Sequence, residues 1–176
     1  MSNIKTYKKV GTLEINSGRI DITDPCYDAD VWCRMNNVEI KAGIYDCYVL
    51  LGGSKGRRVD AMAIVHQDAN LDTPIDIDDM QAIDYVCVDA GLMSISEAGT
   101  KPDYTDEEWE KICHYLFDKR TSGPTVLVTS QLTFRHDKQM FWATSGDGDG
   151  SYDVFVINTH DRKNAKAVPD MIEIFF

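Results

Sequence analysis

The sequence predicts a mainly antiparallel α+β domain, a sandwich or open barrel with one amphipathic helix packed against it. Short runs rich in Val, Ile, Tyr, Phe and Thr recur along the chain, and these residue types suit half-buried strands. Only one stretch has strong helical spacing. The length of 176 residues matches one domain, and no stretch has the composition of a linker. We therefore expect a single domain over residues 1–176.

Alternation of apolar and polar residues predicts the strands. The run at 19–23 alternates and then breaks at Asp24-Pro25, where proline ends the regular pattern. The run at 45–51 alternates so that its buried face would carry every second residue from Tyr45. The other predicted strands are 58–66, 85–88, 125–129, 140–144, 152–157 and 171–176.

The predicted helix covers about residues 106–119. Thr105 and Glu108 have the spacing of a capping box, and acidic residues fill the first turn. Gly123-Pro124 sets its latest end. The apolar residues at helical spacing predict a helix that covers one sheet, and they are Trp109, Ile112, Cys113, Leu116 and Phe117. Before it, residues 67–80 form an acidic, turn-rich stretch that predicts a solvated loop, whose Asp76, Asp78 and Asp79 could also gate a cleft.

Composition excludes some functions. The 18 Lys and Arg against 29 Asp and Glu give a formal net charge of −11, which repels nucleic acid and anionic membranes. We therefore expect no direct nucleic-acid or membrane binding. No apolar run approaches membrane-spanning length, and the five cysteines contain no CxxC pair. These features predict a cytoplasmic protein with reduced thiols; its oligomeric state stays open.

Candidate site residues follow two predicted strands. Asp24 precedes Pro25 at a strand end, and Cys26 and Tyr27 come next. Cys26 could act as a nucleophile, but an inert core thiol is favoured because the negative net charge disfavours a thiolate. Asp89 also ends an apolar strand and is followed by Ala90-Gly91, a pattern that suits either a ligand-binding carboxylate or a capped turn.

A third candidate is the glycine-rich loop at 145–152, SGDGDGSY, which suits a ligand-binding loop or a tight hairpin turn. It begins like a calcium loop, but Tyr152 and Asn158 stand where glycine and glutamate are required, which excludes a calcium site of that kind. A looser divalent-cation site stays open, with a divalent cation as the cofactor and Asp24, Asp89, Asp147 and Asp149 as its ligands. The loop residues predicted to contact a ligand are Gly148, Asp149, Gly150 and Tyr152.

The stretch at 51–58, LGGSKGRR, is the one concentrated basic segment of this acidic chain. Glycine-rich backbone and the side chains of Lys55, Arg57 and Arg58 could bind an anionic group. The spacing of a Walker loop is missing, so nucleotide hydrolysis of that class is not indicated. A flexible hairpin with solvated cations is the alternative.

Several motifs together resemble an uncharacterised family of bacterial and phage-type proteins that is known as a domain of unknown function. They are SGRIDITDPCY, IKAGIYDCYVL, RRVDAMAIV, VDAGLMSI and SGDGDGSYDVFV, and the similarity runs from Ser17 to about Val156. This chain carries an additional Asp-Gly before the GDGSY core. The resemblance implies that Asp24, Asp89 and the loop at 146–152 lie in one spatial cluster. It implies no activity.

Three functions follow as hypotheses. The first is a small-ligand-binding domain, in which the aspartates hold hydroxyls or a cation and the basic loop meets an anionic, nucleotide-like group. If the chain is phage-encoded, sequestering a host nucleotide signal would suit that chemistry. The second is a metal-dependent hydrolase of phosphoesters or nucleotides, with His66 or His136 as acid–base. The third is an acidic protein-interaction or nucleic-acid-mimic protein. Whether the chain is an enzyme stays open.

Overall fold

The computed structural model describes residues 7–27, 31–52, 58–100, 105–120, 126–129 and 139–176. Eleven strands and one α-helix lie in these ranges. The strands of the first half are β1 (Tyr7–Ile15), β2 (Arg19–Thr23), β3 (Met35–Glu39), β4 (Gly43–Gly52), β5 (Arg58–His66), β6 (Gln81–Val88) and β7 (Leu92–Glu97). The second half contains α1 (Asp106–Arg120), β8 (Val126–Thr129), β9 (Met140–Thr144), β10 (Gly150–Ile157) and β11 (Met171–Phe175).

The strands form two antiparallel sheets. The six-stranded sheet has the order β1-β4-β5-β11-β10-β6, and the five-stranded sheet has the order β3-β2-β7-β9-β8. Neither closes into a barrel among the described residues. The predicted mainly antiparallel α+β class is therefore confirmed, and the open-barrel alternative gains no support.

Both sheets contribute to one apolar core. Tyr45, Cys47 and Val49 point into it from β4, as the alternation at 45–51 predicts. Ile20 and Ile22 from β2 and the inward residues of β7 and β9 complete it from the other sheet. We call the opposite side of the six-stranded sheet, turned away from this core, its outer face.

Helix α1 begins at the predicted cap. The Thr105 N–H donates to Oε2 of Glu108 at 2.8 Å, and the Glu108 N–H donates to Oγ1 of Thr105 at 3.3 Å. Trp109 is buried in a small second cluster with Trp142 and Leu92, so this end of the helix covers the five-stranded sheet. The side chains of Ile112, Leu116 and Phe117 lie outside the described part of the structure. No helix in the described ranges is long and apolar enough to cross a membrane.

The acidic stretch at 67–80 is a loop, as predicted, and includes a short 3-10 helix at Ile77–Asp79. It is anchored on the 158–162 turn. Arg162 donates to the carbonyl oxygens of Thr73 at 2.8 Å and Pro74 at 3.0 Å, and the Asn70 N–H donates to Oγ1 of Thr159 at 2.7 Å. These contacts hold the loop beside the outer face of the six-stranded sheet.

Candidate functional site

The three motif segments lie together at one end of the sheets. Gly150 at the start of β10 pairs with Val88 at the end of β6, which places Asp149 beside Asp89. The Ser145 N–H donates to the carbonyl oxygen of Gly91 at 3.1 Å. The 145–152 loop therefore adjoins the turn between β6 and β7.

Asp24 joins the third segment to this turn through its carboxylate. Oδ2 accepts from the backbone N–H groups of Asp89 at 2.9 Å and Ala90 at 2.7 Å, and Oδ1 accepts from the Cys26 N–H at 2.8 Å. The side chain is fully buried, and burial raises the pKa of this carboxyl while the three donors oppose that rise. A carboxylate occupied in this way holds two turns together. The structure thus gives Asp24 a packing role where the sequence predicted ligand contact.

The neighbours of Asp24 are also engaged in packing. Cys26 is partly buried against the cluster that contains Trp109 and Trp142, an environment that suits the inert thiol favoured by the sequence. Tyr27 is half-buried. Burial raises the pKa of Tyr27 well above its usual range.

The glycine-rich loop is a tight turn closed by its own hydrogen bonds. Ser145 Oγ and the Tyr152 hydroxyl both donate to the carbonyl oxygen of Gly148 at 2.8 Å. Gly146 adopts a φ of +47°, and a Cβ there would lie 2.7 Å from Cβ of Phe176, so the position needs glycine. These contacts favour the hairpin-turn interpretation of the loop.

Arg58 is held by two carboxylates. Its Nε donates to Asp60 at 2.7 Å, and its Nη1 lies 3.1 Å from both carboxylate oxygens of Asp147. The predicted anion-binding role of Arg58 stays a prediction, and an anion there would compete with these two carboxylates for the guanidinium group. Lys55 and Arg57, predicted beside it, lie outside the described residues.

The candidate cation site has no geometric support. Asp24 and Asp147 are engaged as described above, which leaves Asp89 and Asp149 as exposed neighbours. Within the described ranges, no three His, Cys, Asp or Glu side chains lie close enough together to hold a metal ion. The buried His66 accepts the Asp68 N–H at 3.0 Å on Nδ1, while Nε2 lies 3.2 Å from the carbonyl oxygen of Ala42. His136 lies outside the described residues.

Sequence reasoning missed a groove on the outer face of the six-stranded sheet. Its volume is about 320 Å³, and its floor and wall are mainly apolar. Ala63, Val65 and Met171 contribute from the sheet, and Leu71, Pro74 and Ile75 from the loop. The polar side chains that line it are Tyr7, Tyr48, Thr73 and Glu173. We call this feature the Glu173 groove.

Glu173 is the charged residue of this groove. It is only 6% exposed, and the Tyr7 hydroxyl donates to its Oε1. Burial raises the pKa of this carboxyl to about 7. Such a shift at a cavity wall indicates a functional-site candidate, because a buried carboxyl responds strongly to whatever binds beside it.

The sequence did contain a signal for Glu173. In the predicted strand at 171–176, MIEIFF, the two isoleucines alternate with Met171, Glu173 and Phe175. The isoleucines enter the core, so Glu173 must share the outer face with two apolar side chains. A carboxylate between Met171 and Phe175 on one strand face was the sequence feature that could have indicated a partly buried acidic residue.

Comparison with protein-family models, curated proteins and solved structures finds no match to this chain. The resemblance to the uncharacterised bacterial and phage-type family therefore stays a prediction.

Proposed function

We propose that this chain is a small-molecule-binding domain, built from two antiparallel sheets packed face to face, whose ligand occupies the Glu173 groove. The observation that carries the proposal is a buried carboxyl, 6% exposed, in the wall of a mainly apolar groove of about 320 Å³. Small-molecule sites typically combine apolar walls of this extent with a few convergent polar groups.

The groove is a better candidate ligand site than the cluster formed by Asp24, Asp89 and the 145–152 loop. At the aspartate end, Asp24 and Asp147 are engaged by protein donors. In the groove, Glu173 has its hydrogen-bond partner Tyr7 on one oxygen, and the apolar walls offer surface that a ligand can remove from water. An anionic, nucleotide-like ligand suits this groove poorly, because its phosphate would be repelled by the Glu173 carboxylate. Such a ligand would depend on Lys55 and Arg57 instead.

A fragment screen by thermal shift tests the proposal, with Ala63→Leu as the blocking variant. Ala63 faces the groove, so a larger side chain there fills the space that a ligand needs. We expect several apolar fragments to raise the Tm of the wild-type protein and to lose that effect in Ala63→Leu. Ala82→Leu, which adds the same atoms at an exposed position of β6, should retain it. Fragments that stabilise all three proteins equally, or none at all, would contradict the proposal.

A further inference from the structure

The Glu173 carboxyl has unused binding capacity. The Tyr7 hydroxyl is its one hydrogen-bond partner among the residues that the structure describes, and it occupies Oε1. No described residue donates to Oε2, and Glu173 lines the groove. Because the side chain is only 6% exposed, this oxygen has little access to water, which favours a ligand donor that can reach it.

Within the described part of the chain, the residues that line the groove with this carboxyl carry no positive charge. Its cross-strand neighbours are Ala63 on β5 and Phe155 on β10, both apolar. Tyr7 from β1 and Tyr48 from β4 are the titratable groups that line the groove with it, and the loop side contributes Leu71, Thr73, Pro74 and Ile75.

The described cations around the groove are already engaged. At the loop, Arg162 donates to the carbonyl oxygens of Thr73 and Pro74. Lys9 lies one strand beyond Tyr48 in the cross-strand register, and its Nζ is 2.7 Å from Oδ2 of Asp46. At the loop, Asp72 is exposed and adds only negative charge. No cation of the described residues pairs with Glu173, so a ligand can supply one, and the net charge of −11 raises the local concentration of cations.

We propose that the ligand of the Glu173 groove is a small monoamine, whose ammonium group pairs with Glu173 and whose apolar, preferably aromatic, body lies against the groove walls. This inference rests on the proposed function. One buried carboxylate balances one ammonium group, and a polyamine would leave further charges over Ala63, Val65 and Met171.

Two features favour an amine over a guanidinium ligand. A guanidinium group binds best through two parallel hydrogen bonds to both oxygens of a carboxylate, but Tyr7 already occupies Oε1. An ammonium group is compact and needs only Oε2. The rings of Tyr7 and Tyr48 also line the groove, where they can pack against an aromatic body.

Amine binding should be coupled to proton release. Because the pKa of Glu173 is about 7 in the free protein, a large share of the carboxyl is protonated near neutral pH and must lose its proton to pair with an ammonium group. The affinity for an amine should therefore rise about tenfold between pH 6 and pH 8. A neutral ligand of the same shape should show no such rise.

Titration calorimetry with three matched probes tests the inference: 2-phenylethylamine, 2-phenylethanol and 3-phenylpropionate. We expect the amine to bind at least tenfold more tightly than the alcohol at pH 8, and the propionate to bind most weakly. Measurement near pH 6, in two buffers of different ionisation enthalpy, should reveal proton release with the amine alone. The variant Glu173→Gln keeps the shape and the hydrogen bond to Tyr7, and it should reduce amine binding to the level of the alcohol.

Asp153→Asn is the matched control, because it removes an exposed carboxylate of the neighbouring strand β10 outside the groove. It should leave the preference for the amine unchanged. Equal binding of amine and alcohol, or a preference that survives in Glu173→Gln, would overturn the monoamine inference and leave the groove as a ligand site. Failure of all three probes together with the fragment screen would overturn both proposals. Should Glu173→Gln not fold, the pH dependence in the wild-type protein decides by itself.

Discussion

The Asp24 carboxylate shows how one residue can connect distant parts of the chain. Its three backbone donors come from its own turn and from the turn at Asp89 and Ala90, 65 and 66 residues further on. A carboxylate with three N–H donors tolerates burial that an isolated carboxylate would not. Asp24 therefore stabilises the junction between the two sheets.

Replacing Asp24 by Asn should lower the free energy of unfolding by about 2–4 kcal/mol. The amide has only one oxygen for three buried N–H donors, and its NH₂ group would face at least one of those donors without an acceptor. Urea denaturation at pH 7 measures this. The matched control is Asp89→Asn, at an exposed side chain, which should change stability by less than about 0.5 kcal/mol. Equal effects of the two substitutions would contradict the packing role.

The same residue shows what a sequence can and cannot predict. The Asp-Pro-Cys pattern correctly indicates a turn, and Asp24 lies near Asp89 as expected. The pattern cannot tell whether the carboxylate faces solvent or backbone donors. A backbone N–H group is present whatever the side chain is, so the residue types do not reveal it. Glu173 is the opposite case, since its outer-face position followed from alternation but its burial depends on the loop at 67–80.

At the scale of elements, the sequence analysis missed β1, β3 and β7. In β7, Met93 and Ile95 enter the core and alternate with Ser94 and Ser96, but the serines are buried as well and Ser94 Oγ donates to the Thr23 carbonyl oxygen, so this strand lacks a solvated face. Strand β1 is interrupted by a register shift between Lys9 and Gly11, and β3 contains Asn37 at a φ of +57°. Apolar periodicity detects strands only where side chains, rather than backbone geometry or hydrogen bonds, determine burial.

The loop at 67–80 forms one wall of the Glu173 groove, and Arg162 anchors it. We expect Arg162→Ala to weaken binding of groove ligands several-fold and to speed amide hydrogen exchange in residues 70–79, because three carbonyl contacts are lost. The core should be unaffected. Lys163→Ala removes the same charge from the adjacent exposed residue, and it should have neither effect. Unchanged exchange in Arg162→Ala would show that the loop is held by other contacts.

At the scale of the whole molecule, the inner and outer faces of the sheets have different roles. The inner faces form one shared core, and α1 covers part of the five-stranded sheet through Trp109. Among the described segments, the loop at 67–80 covers part of the outer face of the six-stranded sheet, which creates the groove around Glu173. An ionisable group placed there links the stability of the entire fold to pH.

Glu173 should make the protein less stable as the pH rises from about 5 to 8. Its pKa is raised from 4.5 to about 7, so the folded chain holds this proton more tightly than the unfolded chain, and the stabilisation present below pH 4.5 is lost as the pH passes through 7. The corresponding loss in the free energy of unfolding is about 3 kcal/mol. Urea denaturation across this range should therefore show a falling free energy of unfolding in wild type and in Asp153→Asn. Glu173→Gln should lack this component and exceed wild-type stability at pH 8, whereas parallel curves for all three proteins would mean that Glu173 does not titrate in this window.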